Sequence, residues 1–238
     1  MVDGYSAEQI RAAERPHLAA GEPLMQRAAA GLAGEIRAVL GERVAGHPGT
    51  AGRIMLLVGS GDNGGDGLFA GAELAAEGVR VSIVPTGGVM HESGLAAALA
   101  AGAHVVTTAP LDAFRLAALA GLAEREDVIV DAIVGTGSSP NPALRGAAHD
   151  IVAAILPVAT APGGPAVVAV DIPSGIDPTD GSVPDPVVLP ADVTVTFGGV
   201  KAGLLLPPGS GLAGQVRLVD IGLGADLARL TPVVQRPE

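Results

Sequence analysis

The 238-residue chain has no cysteine, no tryptophan, one tyrosine, three phenylalanines and a single lysine, Lys201. Without cysteine there is no disulfide, no thiolate nucleophile and no cysteine metal site, which fits a reducing cytoplasm. Scarce aromatics leave no platform on which single-stranded bases would stack. A net charge of −11 opposes nucleic acid, which is held mainly by neutralising its phosphates. Two stretches are long and uncharged, residues 93–111 and 151–170. The first is alanine-rich and interrupted by Gly102 and His104, the second by Pro157, Pro162, Gly163, Gly164 and Pro165, so neither reads as a membrane span. The polar, acidic start MVDGYSAEQIRAAE is unlike a signal peptide. These features predict a soluble, cytoplasmic protein with neither a membrane nor a nucleic acid as partner.

Apolar residues are abundant, 48% of the chain, and glycine and proline are spread throughout it. One α/β domain over 1–238 is expected, with a helical region at 1–50 and a sheet core at 51–238. Ser6 and Gln9 have capping-box spacing, and Pro23 opens a helix in which Leu24, Ala28, Leu32, Ile36 and Leu40 recur every fourth residue. AGHPGTAG (45–52) breaks the pattern. Beyond it strands are expected at 53–59, 79–85, 103–108, 127–135, 166–172, 192–197 and 215–222, and helices at 65–77, 92–101, 110–124 and 144–156. Alternation of apolar strands with helices predicts a mostly parallel sheet covered on both faces. Helical signals fade after about residue 157, leaving strands joined by Pro/Gly loops.

Three segments fall where such sheets place ligands, beyond the carboxyl ends of strands: GSGDNGGDG (59–67), DAIVGTGSSPN (131–141) and DIPSGIDPTDG (171–181). The first contains G-x-G-x-x-G, but the second strand ends VSIVPTGG, without the acid that binds ribose hydroxyls in nicotinamide-dependent oxidoreductases. A calcium loop counted from Asp62 fails at position 3, which is Gly64. The glycines alone are explained by backbone angles closed to other residues, and Asp66 equally by capping the next helix or by facing a ligand. Asp171 reads either as a turn former bonded to Ser174 or as a site carboxylate, and Asp177 and Asp180 as turn residues. If the strands at 53–59, 127–135 and 166–172 are neighbours, Asn63, Asp131 and Ser174 converge as hard oxygen donors of low charge, suited to an alkali cation. GTGSSPN, which has no acid, offers backbone N–H groups to a phosphate. Lys201 reads as an exposed lysine in preference to a buried ion pair or an anion contact, and no role is assigned to His17, His47, His91, His104 or His149.

Taken in order, GSGDNGGDGLFAGAELAAEGVRV, DAIVGTG…LRG, VVAVDIPSGIDPTDG and ADVTVTFGGVKAGLLLPPG resemble the YjeF N-terminal domain family, from residue 24 to about Gly222. That resemblance implies a three-layer α/β/α sandwich of Rossmann type, often dimeric, and NAD(P)H-hydrate epimerase activity interconverting the R and S forms of hydrated NADH and NADPH. It implies substrate contacts from Asp62, Asn63, Gly64, Gly65 and Asp66, a phosphate-facing turn of Gly135, Thr136, Gly137, Ser138, Ser139, Pro140 and Asn141, and a substrate-binding carboxylate at Asp171. It also implies a potassium ion on Asn63, Asp131 and Ser174. Asp62 departs from the family's asparagine and adds negative charge there. Bacterial members are often fused to an ATP/ADP-dependent NAD(P)H-hydrate dehydratase; this chain stops at LTPVVQRPE, either as a stand-alone epimerase or as part of a longer protein.

Inversion at nicotinamide C6 needs a proton donor and acceptor, whether hydroxide leaves and water returns or the ring opens and recloses. Asp131 and Asp171 are the candidate catalytic groups, with Asp131 favoured for the essential chemistry. A non-catalytic nucleotide-binding or scaffold domain of the same fold is the alternative.

Overall fold

The computed structural model describes residues 1–45, 51–137 and 141–237. Most of the predicted break at 45–52, together with His47, Ser138, Ser139 and Pro140, therefore lies outside the described residues. The chain opens with a short strand, β1 (Val2–Tyr5), and helix α1 (Ala7–Ala19). At its start Ser6 accepts from the Gln9 amide while the Gln9 side chain accepts from the Ser6 amide, the reciprocal cap that the spacing predicted. Helix α2 (Leu24–Val44) follows Pro23 and buries Leu24, Ala28, Leu32, Ile36 and Leu40 along one face.

Four strand–helix units and two further strands follow: β2 (Arg53–Val58), α3 (Asp62–Ala76), β3 (Arg80–Pro85), α4 (Glu92–Ala100), β4 (His104–Val105), α5 (Ala113–Ala123), β5 (Val128–Ala132), α6 (Ala147–Ala159), β6 (Ala166–Val170) and β7 (Val193–Phe197). The last part of the chain adds β8 (Val200–Lys201), β9 (Gln215–Val219), a four-residue helix α7 (Gly224–Leu227) and β10 (Val234–Arg236). Helix α6 runs past Pro157, whose ring is exposed, and beyond the expected end at 156.

A seven-stranded sheet has the order β4-β3-β2-β5-β6-β7-β9, and every pairing in it is parallel. Alternate strand residues serve opposite layers. Ile54, Leu56 and Val58 meet Leu32, Ile36 and Leu68 from α2 and α3, while Met55, Leu57 and Ile129 meet Leu119 and Ile155 from α5 and α6. The result is the expected three-layer α/β/α sandwich. A second sheet, β10-β1-β8, was not expected; it pairs β1 antiparallel with β10 and parallel with β8, carrying Tyr5 opposite Lys201.

The chain builds β2, β3 and β4 outward in one direction, then returns to lay β5 on the other side of β2. Loops leaving β2 and β5 diverge at that point, and the crevice between them is where doubly wound sheets hold ligands.

Candidate functional site

The three segments singled out in the sequence meet at this crevice. Strands β2, β5 and β6 are consecutive neighbours, so the residues that follow them share one end of the sheet. A Cβ built on Gly135 would lie 2.9 Å from the Asn63 side-chain oxygen, so glycine lets the Asn63 amide press against the turn after β5. The same turn touches the loop after β6, where the Val134 amide donates to Ser174 Oγ at 2.9 Å.

Asp131, at the end of β5, is 1% exposed and its carboxylate accepts three hydrogen bonds. Ser174 donates to it twice, from its amide (2.8 Å) and its hydroxyl (2.7 Å), and the Ile133 amide donates at 3.3 Å. Burial pushes the Asp131 carboxyl up and these donors pull it back. No Lys or Arg pairs with it among the described residues. The Asn63 amide, against Gly135, has a buried Nδ2 position with no partner among the described residues. Amide N and O are interchangeable assignments, so the unmet position serves equally as an acceptor. A buried carboxylate without countercharge, an unpaired amide and a hydroxyl make a set of oxygen donors that fits a large, weakly charged cation. Among the described residues no group of three or more His, Cys, Asp or Glu is arranged for a metal ion.

Asp171 follows β6 with φ +69°, the only described non-glycine residue in the left-handed region. Its backbone is strained there, a conformation tolerated best by Asp and Asn and concentrated at functional sites. It is not bonded to Ser174, as the turn reading expected. Instead it accepts from Thr196 Oγ1 at 3.2 Å and the Phe197 amide at 3.4 Å, and it pairs with Lys201. Lys201 is 1% exposed and also donates to the Phe197 carbonyl at 2.9 Å. The expectation of an exposed lysine is thereby corrected: the small sheet places β8 so that its ammonium enters the crevice.

The GSGDNGGDG segment is likewise not a loop throughout. Helix α3 begins at Asp62, not at 65, so Asn63 and Asp66 share one face, one turn apart, and Asp66 is an interior helical residue and not its cap. None of its glycines has positive φ. Those inside the helix are small because its start is squeezed: a Cβ on Gly67 would sit 2.7 Å from Ala132 Cβ, and one on Gly65 3.1 Å from Met25 Cε. Asp62 is exposed, whereas Asp66 is buried. Burial, then the negative charges of Asp171 and Asp62, raise the Asp66 carboxyl to about 8, against a smaller pull from Lys201.

Helix α1 adds two groups that the sequence did not mark. Burial raises the Glu14 carboxyl, and Lys201, Asp171 and Asp62 are close enough to act on it. Arg11 donates to the Thr136 carbonyl at 2.5 Å, tying α1 to the turn after β5. Neither had a local signal, since both belong to an ordinary amphipathic helix. Gly137 and Asn141 flank the crevice at the surface. Asp177 and Asp180 accept from nearby backbone amides, as turn residues do. His17 sits outside the crevice, bonded to Glu22 and Asp226.

Sheet order and site together define a doubly wound α/β protein whose polar groups gather at the switch point of its parallel sheet. A family model described as YjeF-related protein N-terminus matches residues 21–203. The chain belongs to that family. A protein of Clavibacter michiganensis named NAD(P)H-hydrate epimerase is 53% identical over 235 residues, covering 99% of this chain and 96% of its own length. One of the same name from Microbacterium testaceum is 45% identical, covering 98% and 84%. A Mycobacterium tuberculosis protein named bifunctional NAD(P)H-hydrate repair enzyme Nnr is 41% identical over 94% of this chain but only 42% of its own. The crystal structure of yeast ynu0, YNL200c, superposes with a TM-score of 0.69, covering 91% of this chain and 87% of that one, at 20% identity, a likeness of fold.

Proposed function

We propose that this chain is an NAD(P)H-hydrate epimerase, an isomerase that inverts C6 of the hydrated nicotinamide ring. Its relatives in Clavibacter and Microbacterium carry that name over nearly their full length. The observation that carries the chemistry is a pair of buried acids in different surroundings, Asp66 with its carboxyl raised to about 8 by burial and Asp171 paired with Lys201. Acids held apart in this way divide donor and stabiliser roles between them.

In this reading Asp66 gives its proton to the C6 hydroxyl as the C–O bond breaks, and water departs. The electron pair of the ring nitrogen forms the iminium, whose positive charge faces Asp171. Water adds to the opposite face and returns a proton to Asp66, so atoms and charge balance over the cycle. The proton-handling role expected for Asp131 passes to Asp66 in this reading, because Asp131 is buried and held by donors from Ser174 and Ile133. Asp131 would instead hold a potassium ion with Asn63 and Ser174. That ion would offset the buried charge of Asp131 and fix the Gly135–Gly137 turn toward the substrate phosphates. Asp62, Gly64 and Gly65 line the approach, and the whole chain, 1–238, acts as one unit because α1 supplies Arg11 and Glu14. A separate or fused ATP/ADP-dependent dehydratase would consume the product, in the cytoplasm, and the protein would pair as a homodimer.

The test follows the ratio of R and S hydrated NADH over time, with and without protein. Protein should speed the approach to the equilibrium ratio at least 100-fold, within the range of general acid–base catalysis. An unchanged rate with both hydrated NADH and hydrated NADPH would leave only the scaffold alternative.

A further inference from the structure

The acids and the cation site occupy one side of the crevice, toward β6 and β7. On the other side, toward β3, lies a separate cavity of about 310 Å³ that the proposed chemistry does not use. It opens between the carboxyl ends of β2, β3 and β5, and residues Ser60, Thr86, Pro142 and Arg145 are among its lining. Ile133 and Val134 line it as well, and the Val134 amide is the one that bonds Ser174, so cavity and site share a wall.

The geometry points to this cavity as the subsite for the adenosine half of the substrate, with Arg145 receiving a ribose 2′-phosphate. The inference rests on the epimerase reading and extends it to the end of the substrate remote from the chemistry. A dinucleotide is too long for the acid cluster alone. With its nicotinamide at Asp66 and Asp171, the pyrophosphate crosses the amino end of α3, where unpaired N–H groups and the helix dipole favour anions. The second nucleoside then falls beyond β2 and β3, and the cavity is of a size that holds such a group.

The lining shows what that group is. In sites selective for a free 2′-hydroxyl, an acid at the end of the second strand binds the ribose and repels a 2′-phosphate. Here β3 runs into Thr86, Gly87 and Gly88, and the Thr86 hydroxyl donates to the Val58 carbonyl at 2.9 Å. Among the described lining residues there is no carboxylate and one cation, Arg145, in a chain with 25 acids to 14 bases. Arg145 makes no ion pair or hydrogen bond among the described residues, so its planar fork is available to a phosphomonoester. A hydrated NADH meets no carboxylate there and is admitted too. The subsite therefore accepts both substrates, and Arg145 sets their ratio.

The experiment measures kcat/KM for hydrated NADH and hydrated NADPH with the native protein, Arg145→Ala and Arg145→Lys. Arg145→Ala should lower kcat/KM for hydrated NADPH about 10- to 100-fold, mainly through KM, the range expected for one charged hydrogen-bonding group. Hydrated NADH should change by less than about threefold, and Arg145→Lys should recover part of the loss. A parallel titration compares 2′,5′-ADP with 5′-AMP by calorimetry; Arg145→Ala should abolish the preference for 2′,5′-ADP. Equal losses for both substrates, no loss for either, or no preference between the two nucleotides would overturn the subsite. Native protein that prefers 2′,5′-ADP through Arg145 but does not epimerise either substrate would overturn the function and leave the subsite standing.

Discussion

Asp66 sits in the second turn of a helix whose first turns are walled by α2, β5 and the crevice, and no hydrogen bond from a described residue reaches its carboxyl. A carboxylate there would be desolvated and would face Asp171 and Asp62, so the proton stays on to about pH 8. Two consequences have opposite signs. If the neutral acid delivers the proton, kcat should be flat through neutrality and decline as pH rises past about 8. For stability, the folded carboxyl is raised above its ordinary value of 3.8, so its contribution is full below that value, shrinks as pH rises, and is lost through about 8. Asp66→Asn removes the titration while keeping the shape. It should lower kcat by at least about 100-fold. At pH 8.5 the variant should melt higher than the native protein, by about 2–4 °C for each kcal/mol released. A variant that keeps native turnover, or that melts lower at that pH, would show that Asp66 is a structural carboxyl. Lys201 teaches a related lesson about what sequence reveals. Its neighbours in FGGVKAGLLL are apolar or glycine, yet its partner Asp171 lies thirty residues earlier and is brought close only by a two-residue strand. A buried ion pair made across two sheets leaves no local pattern.

Among the elements, the long apolar strands and the helices between them were legible because each satisfies a period by itself. Strands β5, β6 and β7 are fully buried runs, β2 is buried after Arg53, and α2 repeats its apolar face every four residues. Strands β1, β8 and β10 were not, since four, two and three residues have no period and owe their existence to one another. The start of α3 was missed for another reason. DNGGDG is a poor helix former, and it is helical here because glycine lets the backbone approach β5 and α2. That account is checked by moving a methyl along two helices. Gly67→Ala places a Cβ 2.7 Å from Ala132 Cβ, so α3 must retreat from the sheet. Urea unfolding should show a loss of about 1–3 kcal/mol, with turnover falling as Asn63 and Asp66 shift. Gly34→Ala in α2 meets nothing within 4 Å. It should gain about 0.5–1 kcal/mol, the ordinary preference of a helix for alanine over glycine. Equal gains at both positions would show that the approach of α3 to β5 is slack.

Over the whole molecule the charge balance bears on how an anionic dinucleotide arrives. Near the crevice the charges almost cancel once a potassium ion offsets Asp131: Asp66 keeps its proton to about pH 8, Asp171 is matched by Lys201, and Arg11 and Arg145 stand against Asp62 and Glu14. What the substrate feels from further away is then the net −11 of the chain. Repulsion of this kind acts beyond contact distance and is screened over about 10 Å at 0.1 M salt. Raising ionic strength at fixed potassium should therefore increase kcat/KM, by roughly two- to tenfold between 10 and 200 mM of an inert salt such as choline chloride. Hydrated NADPH, with its extra phosphate, should gain more than hydrated NADH at long range. Arg145→Ala separates the two scales, because it removes the local attraction and leaves the distant repulsion, so its salt response should be steeper for hydrated NADPH. If kcat/KM instead falls with salt for both substrates, the cations at the rim dominate the approach, and the acidity of the chain has no hold on its own site.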